Sequence, residues 1–165
     1  MSLSTSILTL SSQLGEALKQ KGWRVSCAES CTGGGIGYAI TSVSGSSQWF
    51  GEGFITYSNE AKASTLKVSD LDLDKYGAVS EPVVIQMAEG AARNTEAELA
   101  ISVSGIAGPD GGSEDKPVGT VWFGRYADGD LCATKQVFSG DRHEVREKTI
   151  LFALQYCLDA IQSSE

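Results

Sequence analysis

Histidine is almost missing from this chain: His143 is the one example in 165 residues. A serine or cysteine nucleophile usually borrows its base from histidine, so few such arrangements are open here. The four cysteines, Cys27, Cys31, Cys132 and Cys157, form no CxxC pair. With one histidine beside them they do not make a structural zinc site, and no metal or other cofactor is expected. They read as reduced, mostly buried thiols of a cytoplasmic protein. Positive charge is also scarce. Thirteen Lys and Arg face twenty-one Asp and Glu, for a net charge of −8. That balance argues against nucleic acid and anionic membranes as partners, although a local cationic cluster can still hold one phosphate. No run is long enough to span a membrane, and no N-terminal apolar segment has the length or basic flank of a signal peptide. Repeats, low-complexity tracts and linkers are absent too, so residues 1–165 read as a single domain.

What is present is an alternation of helical and strand-like segments. Ile7, Leu10, Leu14 and Leu18 make one helical stripe over residues 4–20, and Gly22 is a stop signal behind it. Val25 to Cys27 reads as a buried strand, Gly33 to Val43 as a helix and Phe50 to Tyr57 as a strand. Asn59 to Leu66 reads as a short helix with Asn59 as its cap. Ser80-Glu81-Pro82 opens another that runs to Asn94. Leu99 to Val103 is a buried strand, and Gly105 to Lys116 a long glycine-rich loop. Val118 to Tyr126 and Leu131 to Phe138 flank an Asp128-Gly129 hairpin turn. A last helix spans residues 141–161. This order predicts an α/β fold, a three-layer α/β/α sandwich with helices over both faces of a central mixed, mostly parallel sheet.

The chemistry concentrates at Ala28-Glu29-Ser30-Cys31-Thr32-Gly33-Gly34-Gly35. A serine between a strand and a glycine-rich helix start is expected to be exposed, near unpaired N–H groups and the positive end of a helix. Such a place can hold an anion or a developing oxyanion. Equally, Ser30 can simply cap the helix. Lys62, just past a strand end, can act as a base if burial lowers its pKa, or it can be an exposed charge. Tyr57 at that strand end is either packing or part of a site. Cys31 is a rival nucleophile, or a small buried residue. Arg142 and Arg146 lie one helical turn apart. Arg142 has the wrong sign for a helix start, which suits either an anion site or an ion pair with Asp141, Glu144 or Glu147. The loop from Ser104 to Gly112 lacks the pattern of a phosphate-binding P-loop, and Gly33 breaks a Ser-x-x-Lys motif at Ser30.

Four segments together resemble one family. They are Ala28 to Gly34; Tyr57-Ser58-Asn59-Glu60-Ala61-Lys62; Gly105-Ile106-Ala107-Gly108-Pro109 with Lys116-Pro117-Val118-Gly119-Thr120-Val121; and Gly140-Asp141-Arg142 with Val145-Arg146. In this order and spacing they are similar to the CinA C-terminal-domain family, the nicotinamide-nucleotide amidases. The resemblance covers nearly the whole chain. Ser104, where relatives often carry Thr, keeps the hydroxyl. The additional N-terminal domain of longer members is not found here, so an activity housed there is not expected. The resemblance implies a metal-free homo-oligomer that deamidates nicotinamide mononucleotide. It implies Ser30 as nucleophile, Lys62 as its base, and Tyr57 and Arg142 as active-site partners. Thr32, Gly33, Ser104, Gly105 and Gly108 would complete the substrate-binding set.

Overall fold

In a computed structural model, residues 2–164 are described. They form an α/β fold with a five-stranded mixed sheet packed by helices. The elements are α1 (Thr5–Lys21), β1 (Val25–Glu29), α2 (Gly35–Ile40), β2 (Phe54–Ile55), α3 (Asn59–Leu66), α4 (Asp70–Tyr76), α5 (Glu81–Thr95), β3 (Leu99–Gly105), β4 (Thr120–Ala127), β5 (Asp130–Val137) and α6 (Arg142–Ser163). Spatial order is β2-β1-β3-β4-β5. β1 pairs in parallel with β2 and β3, while β3–β4 and β4–β5 are antiparallel. The expected mostly parallel sheet is therefore corrected: its neighbour pairings divide evenly. The long 105–116 loop returns the chain beside β3 as a hairpin partner instead of crossing over, and that sets β4 antiparallel.

Strand alternation sends apolar side chains into two clusters. Val25, Cys27, Leu99, Ile101, Val103, Val121 and Phe123 join residues of α1, α2 and α6. Ala28 and Ala100 join Leu66, Leu73, Val83, Val84 and Met87 of α3, α4 and α5. Gly90 lets α5 approach α3 closely, because a side chain there would collide with the Leu66 backbone. That contact seats α3, which carries Lys62, against the interior. Among the described residues no helix is long and apolar enough to cross a membrane.

Local signals set most boundaries. Ser4 caps α1, accepting from the Ile7 N–H at 3.2 Å, and Gly22 ends it at φ 73°. Asp128 (φ 48°) and Gly129 (φ 98°) make the hairpin turn with both residues left-handed. Asp141 and Glu144 close a capping box at the start of α6.

Four local expectations change. α2 begins at Gly35, because Gly33 (φ 58°) and Gly34 (φ 104°) are left-handed and cannot belong to a helix. The strand expected over Phe50 to Tyr57 shrinks to Phe54–Ile55 plus an isolated bridge from Phe50 to Val25. Its glycines bend the chain around the Cys27 side chain, which fills the space beside Gly53. Ser58, not Asn59, caps α3, accepting from the Ala61 N–H at 3.1 Å. α4 was not expected, since it buries only Leu73. Its signal was local, in the Ser69 cap and the acidic first turn of Asp70 and Asp72.

Candidate active site

β1, β2 and β3 are parallel and end at the same edge of the sheet. Open α/β sheets bind ligands at such edges. Ser30 follows β1, Thr56 and Tyr57 follow β2, and the 105–108 segment closes β3. The Ser30 N–H donates to the Val103 carbonyl at 3.2 Å, so β1–β3 pairing continues to the serine itself.

Ser30 is not exposed as expected. It is 9% accessible, because Lys62 packs beneath it. Lys62 is 1% exposed and ranks among the largest fully buried side chains. This rules out the exposed-charge alternative. Its Nζ lies 3.1 Å from Ser30 Oγ and donates to the Thr56 carbonyl at 2.8 Å. Burial pulls the Lys62 pKa below its ordinary value, and a neutral amine can accept the Ser30 proton. Arg142 is not the cause of that shift. Cys31 next door goes the other way. Burial, then the Glu29 charge, pushes its thiol up to about 12, so it is no thiolate nucleophile at neutral pH.

A cleft of about 270 Å³ opens over this pair, lined by Ser30, Cys31, Tyr57, Gly105, Gly108, Asp110 and Arg142 among others. Arg142 Nη1 donates to the Gly108 carbonyl at 2.8 Å, and Nη2 to the Tyr57 hydroxyl at 3.1 Å. The carboxylates proposed as its ion-pair partners are engaged elsewhere. Asp141 and Glu144 cap α6, and Glu147 faces exposed His143 at 3.5 Å. The Arg142 charge thus stands in the cleft held by neutral oxygens, free to meet an anion. Gly105 has no room for a side chain, which would strike Val121 and the Thr120 carbonyl.

Thr32, Gly33 and Ser104 are not on the cleft wall. Thr32 is buried, its hydroxyl bonded to Glu29 and its carbonyl to Arg146 at 3.1 Å. The Gly33 N–H is committed to the Ser30 carbonyl at 3.0 Å. Ser104 is buried in β3, opposite Trp122.

Sequence reasoning gave Glu29 no role, yet it organises the turn that follows Ser30. It is 1% exposed. Its carboxyl oxygens accept from the Thr32 hydroxyl and from the Ile36 and Gly37 N–H groups, both at 2.9 Å. The first free N–H groups of α2 are thereby consumed and cannot serve a ligand, contrary to the expectation for this helix start. The signal was a carboxyl residue ending a short strand that holds no other charge, before a glycine turn. Glu29→Gln turns an amide donor toward groups that are themselves donors. It should cost about 2–4 kcal/mol of stability, read from chemical denaturation.

Among the described residues no group of three His, Cys, Asp or Glu side chains could hold a metal ion. All four cysteines are free.

An α/β sheet whose parallel strands converge on a buried lysine–serine pair is thus the frame of this protein. The chain belongs to the CinA C-terminal domain family, whose model matches residues 7–161. It is 59% identical over 150 residues to a nicotinamide-nucleotide amidohydrolase PncC of Enterobacter agglomerans, covering 90% of this chain and 92% of the relative. The protein of the same name from Escherichia coli K12 is 54% identical, covering 90% and 91%. Among solved structures, the competence/damage inducible protein CihA of Agrobacterium tumefaciens superposes with a TM-score of 0.94 at 38% identity, covering 98% of this chain and 99% of that one.

Proposed function

We propose that this protein hydrolyses the carboxamide of nicotinamide mononucleotide to nicotinate mononucleotide and ammonia, with Ser30 as nucleophile and Lys62 as base. The observation that carries this reading is the buried Lys62 Nζ–Ser30 Oγ contact of 3.1 Å at the floor of a cleft. The names of the relatives supply the substrate.

The chemistry follows from the geometry. Neutral Lys62 takes the Ser30 hydroxyl proton as the serine oxygen bonds to the carboxamide carbon. The charge that develops on the carboxamide oxygen needs donors. Gly33 is committed elsewhere, but the Thr32 N–H makes no backbone hydrogen bond among the described residues. The Lys62 ammonium then gives its proton to the amide nitrogen, the C–N bond breaks and ammonia leaves. Water attacks the acyl ester, again losing its proton to Lys62, and Ser30 regains a proton as nicotinate mononucleotide departs. Arg142, steadied by Tyr57 and Gly108, binds the substrate phosphate. Gly105 and Gly108 shape the wall behind it, and Ser104, buried in β3, supports that wall from within the sheet. Helix layers on both faces make the three-layer sandwich, and the working form is a homo-oligomer in the cytoplasm, where its thiols stay reduced.

The test is incubation of purified protein with nicotinamide mononucleotide, measuring ammonia. Turnover is expected, and prior treatment with a chelator should leave the rate unchanged. No ammonia, or ammonia only after a divalent ion is added, would refute the proposed chemistry.

A further inference from the structure

Thr56 is 2% exposed, and its hydroxyl oxygen is buried without a hydrogen-bond partner. A buried unpaired hydroxyl is destabilising, and native proteins rarely leave one without a use. This one belongs to the residue whose carbonyl anchors Lys62 Nζ at 2.8 Å. The Thr56 N–H is fixed to the Glu29 carbonyl at 2.9 Å, so its backbone is tied to the strand that presents Ser30.

The hydrogen-bond count of the amine changes during the reaction. Neutral Lys62 has two N–H donors and one lone pair. The Thr56 carbonyl takes one donor; proton transfer needs the lone pair turned to the Ser30 hydroxyl, and the second N–H then has no acceptor. After proton transfer the ammonium has three donors and a full charge, in a place almost sealed from water. The N–H that the neutral amine leaves unpaired at small cost now belongs to a full charge, and it needs an acceptor.

We propose that the Thr56 hydroxyl supplies that acceptor, making Thr56 a positioning residue that stabilises Lys62 chiefly while it carries the proton. The hydroxyl and carbonyl oxygens sit on one residue, so the proposed acceptor comes from the residue that already anchors the amine. An interaction much stronger in the charged state than in the resting state lowers the barrier without tightening substrate binding. Of the titratable groups around Lys62, Cys31 on the nucleophile turn is the one that acts on it directly, and its thiol stays neutral. Glu29 is taken up by Thr32 and α2, Arg146 by the Thr32 carbonyl, and Arg142 by Tyr57 and Gly108.

The inference rests on the Ser30–Lys62 reading, so the experiment separates the two. Wild type, Lys62→Met, Thr56→Val and Thr56→Ser are compared for ammonia release from nicotinamide mononucleotide, pH profile and thermal midpoint. Thr56→Val removes the hydroxyl at nearly constant shape. Its kcat should fall about tenfold to a hundredfold with KM little changed, as expected for losing one hydrogen bond to a charged group. The acid limb of its kcat/KM profile should move to lower pH, because the ammonium has lost support. Its thermal midpoint should stay the same or rise, and Thr56→Ser should restore rate and profile. Thr56→Ala is the second probe should valine disturb the packing. If wild type is active, Lys62→Met is dead and the Thr56 variants match wild type in kcat and pH profile, the role of Thr56 is refuted while the dyad stands. A rate that falls in step with thermal midpoint, unrescued by serine, also refutes it. If Lys62→Met is as active as wild type, the underlying reading fails first.

Discussion

Ser30→Ala should abolish ammonia release from nicotinamide mononucleotide, by on the order of a millionfold, the scale expected when an acyl-transfer nucleophile is removed. The fold should survive. The substitution deletes one hydrogen bond, and Lys62 keeps the Thr56 carbonyl as a partner at 2.8 Å. The change in stability should stay within about 1–2 kcal/mol. Cys31 is the control. With its thiol held up to about 12, it contributes no thiolate, and Cys31→Ser should retain most of the activity. A dead Cys31→Ser beside an active Ser30→Ala would reverse the assignment. Circular dichroism and denaturation midpoints on both variants separate loss of chemistry from loss of fold.

Lys62→Met should lose roughly two to four orders of magnitude in kcat/KM, the usual worth of a general base. Methionine fills a similar volume without a charge to bury, so the variant should unfold at a higher temperature than the parent near neutral pH. The sign follows from linkage. Burial lowers the Lys62 pKa in the folded state, while the unfolded chain keeps the ordinary value. Between those two values the unfolded state binds more protons, so stability rises with pH across that window. Below it the native state must hold a buried ammonium, a penalty that methionine does not carry. In the parent, kcat/KM should climb with pH through the lowered pKa of Lys62, and Lys62→Met should lose that limb. Substrate should still bind, since Arg142 and the cleft backbone are untouched. Near-normal turnover in Lys62→Met would refute the dyad. Complete loss of binding would instead make Lys62 a phosphate ligand.

Both variants touch residues that were legible in the sequence, yet for different reasons. Ser30 stood out because a strand, a serine and three glycines in series leave few local conformations open. Lys62 was marked by its place just past a strand end, but a lone lysine on an eight-residue helix reads as solvated, and the company of the other motifs tipped the reading. Glu29 and Thr56 drew no attention. Their importance lies in what their oxygens meet: the N–H groups of α2 in one case, and the amine of a residue six positions later in the other.

By itself the sequence determined what depends on near neighbours. The stripe and stops of α1, the Asp128-Gly129 turn, the capping box of α6 and the glycine turn after Ser30 follow from spacing, capping and permitted φ values, which a few adjacent residues decide. The tertiary structure alone decided the rest. Whether β4 runs parallel or antiparallel depends on how a loop folds back. Whether Lys62 is a spare surface charge or a buried amine depends on α5 pressing α3 against the sheet edge, with Gly90 allowing the approach. Its lowered pKa is the electrostatic result, because taking an amine out of water penalises the ammonium form, and burial belongs to the packed molecule rather than to any stretch of chain.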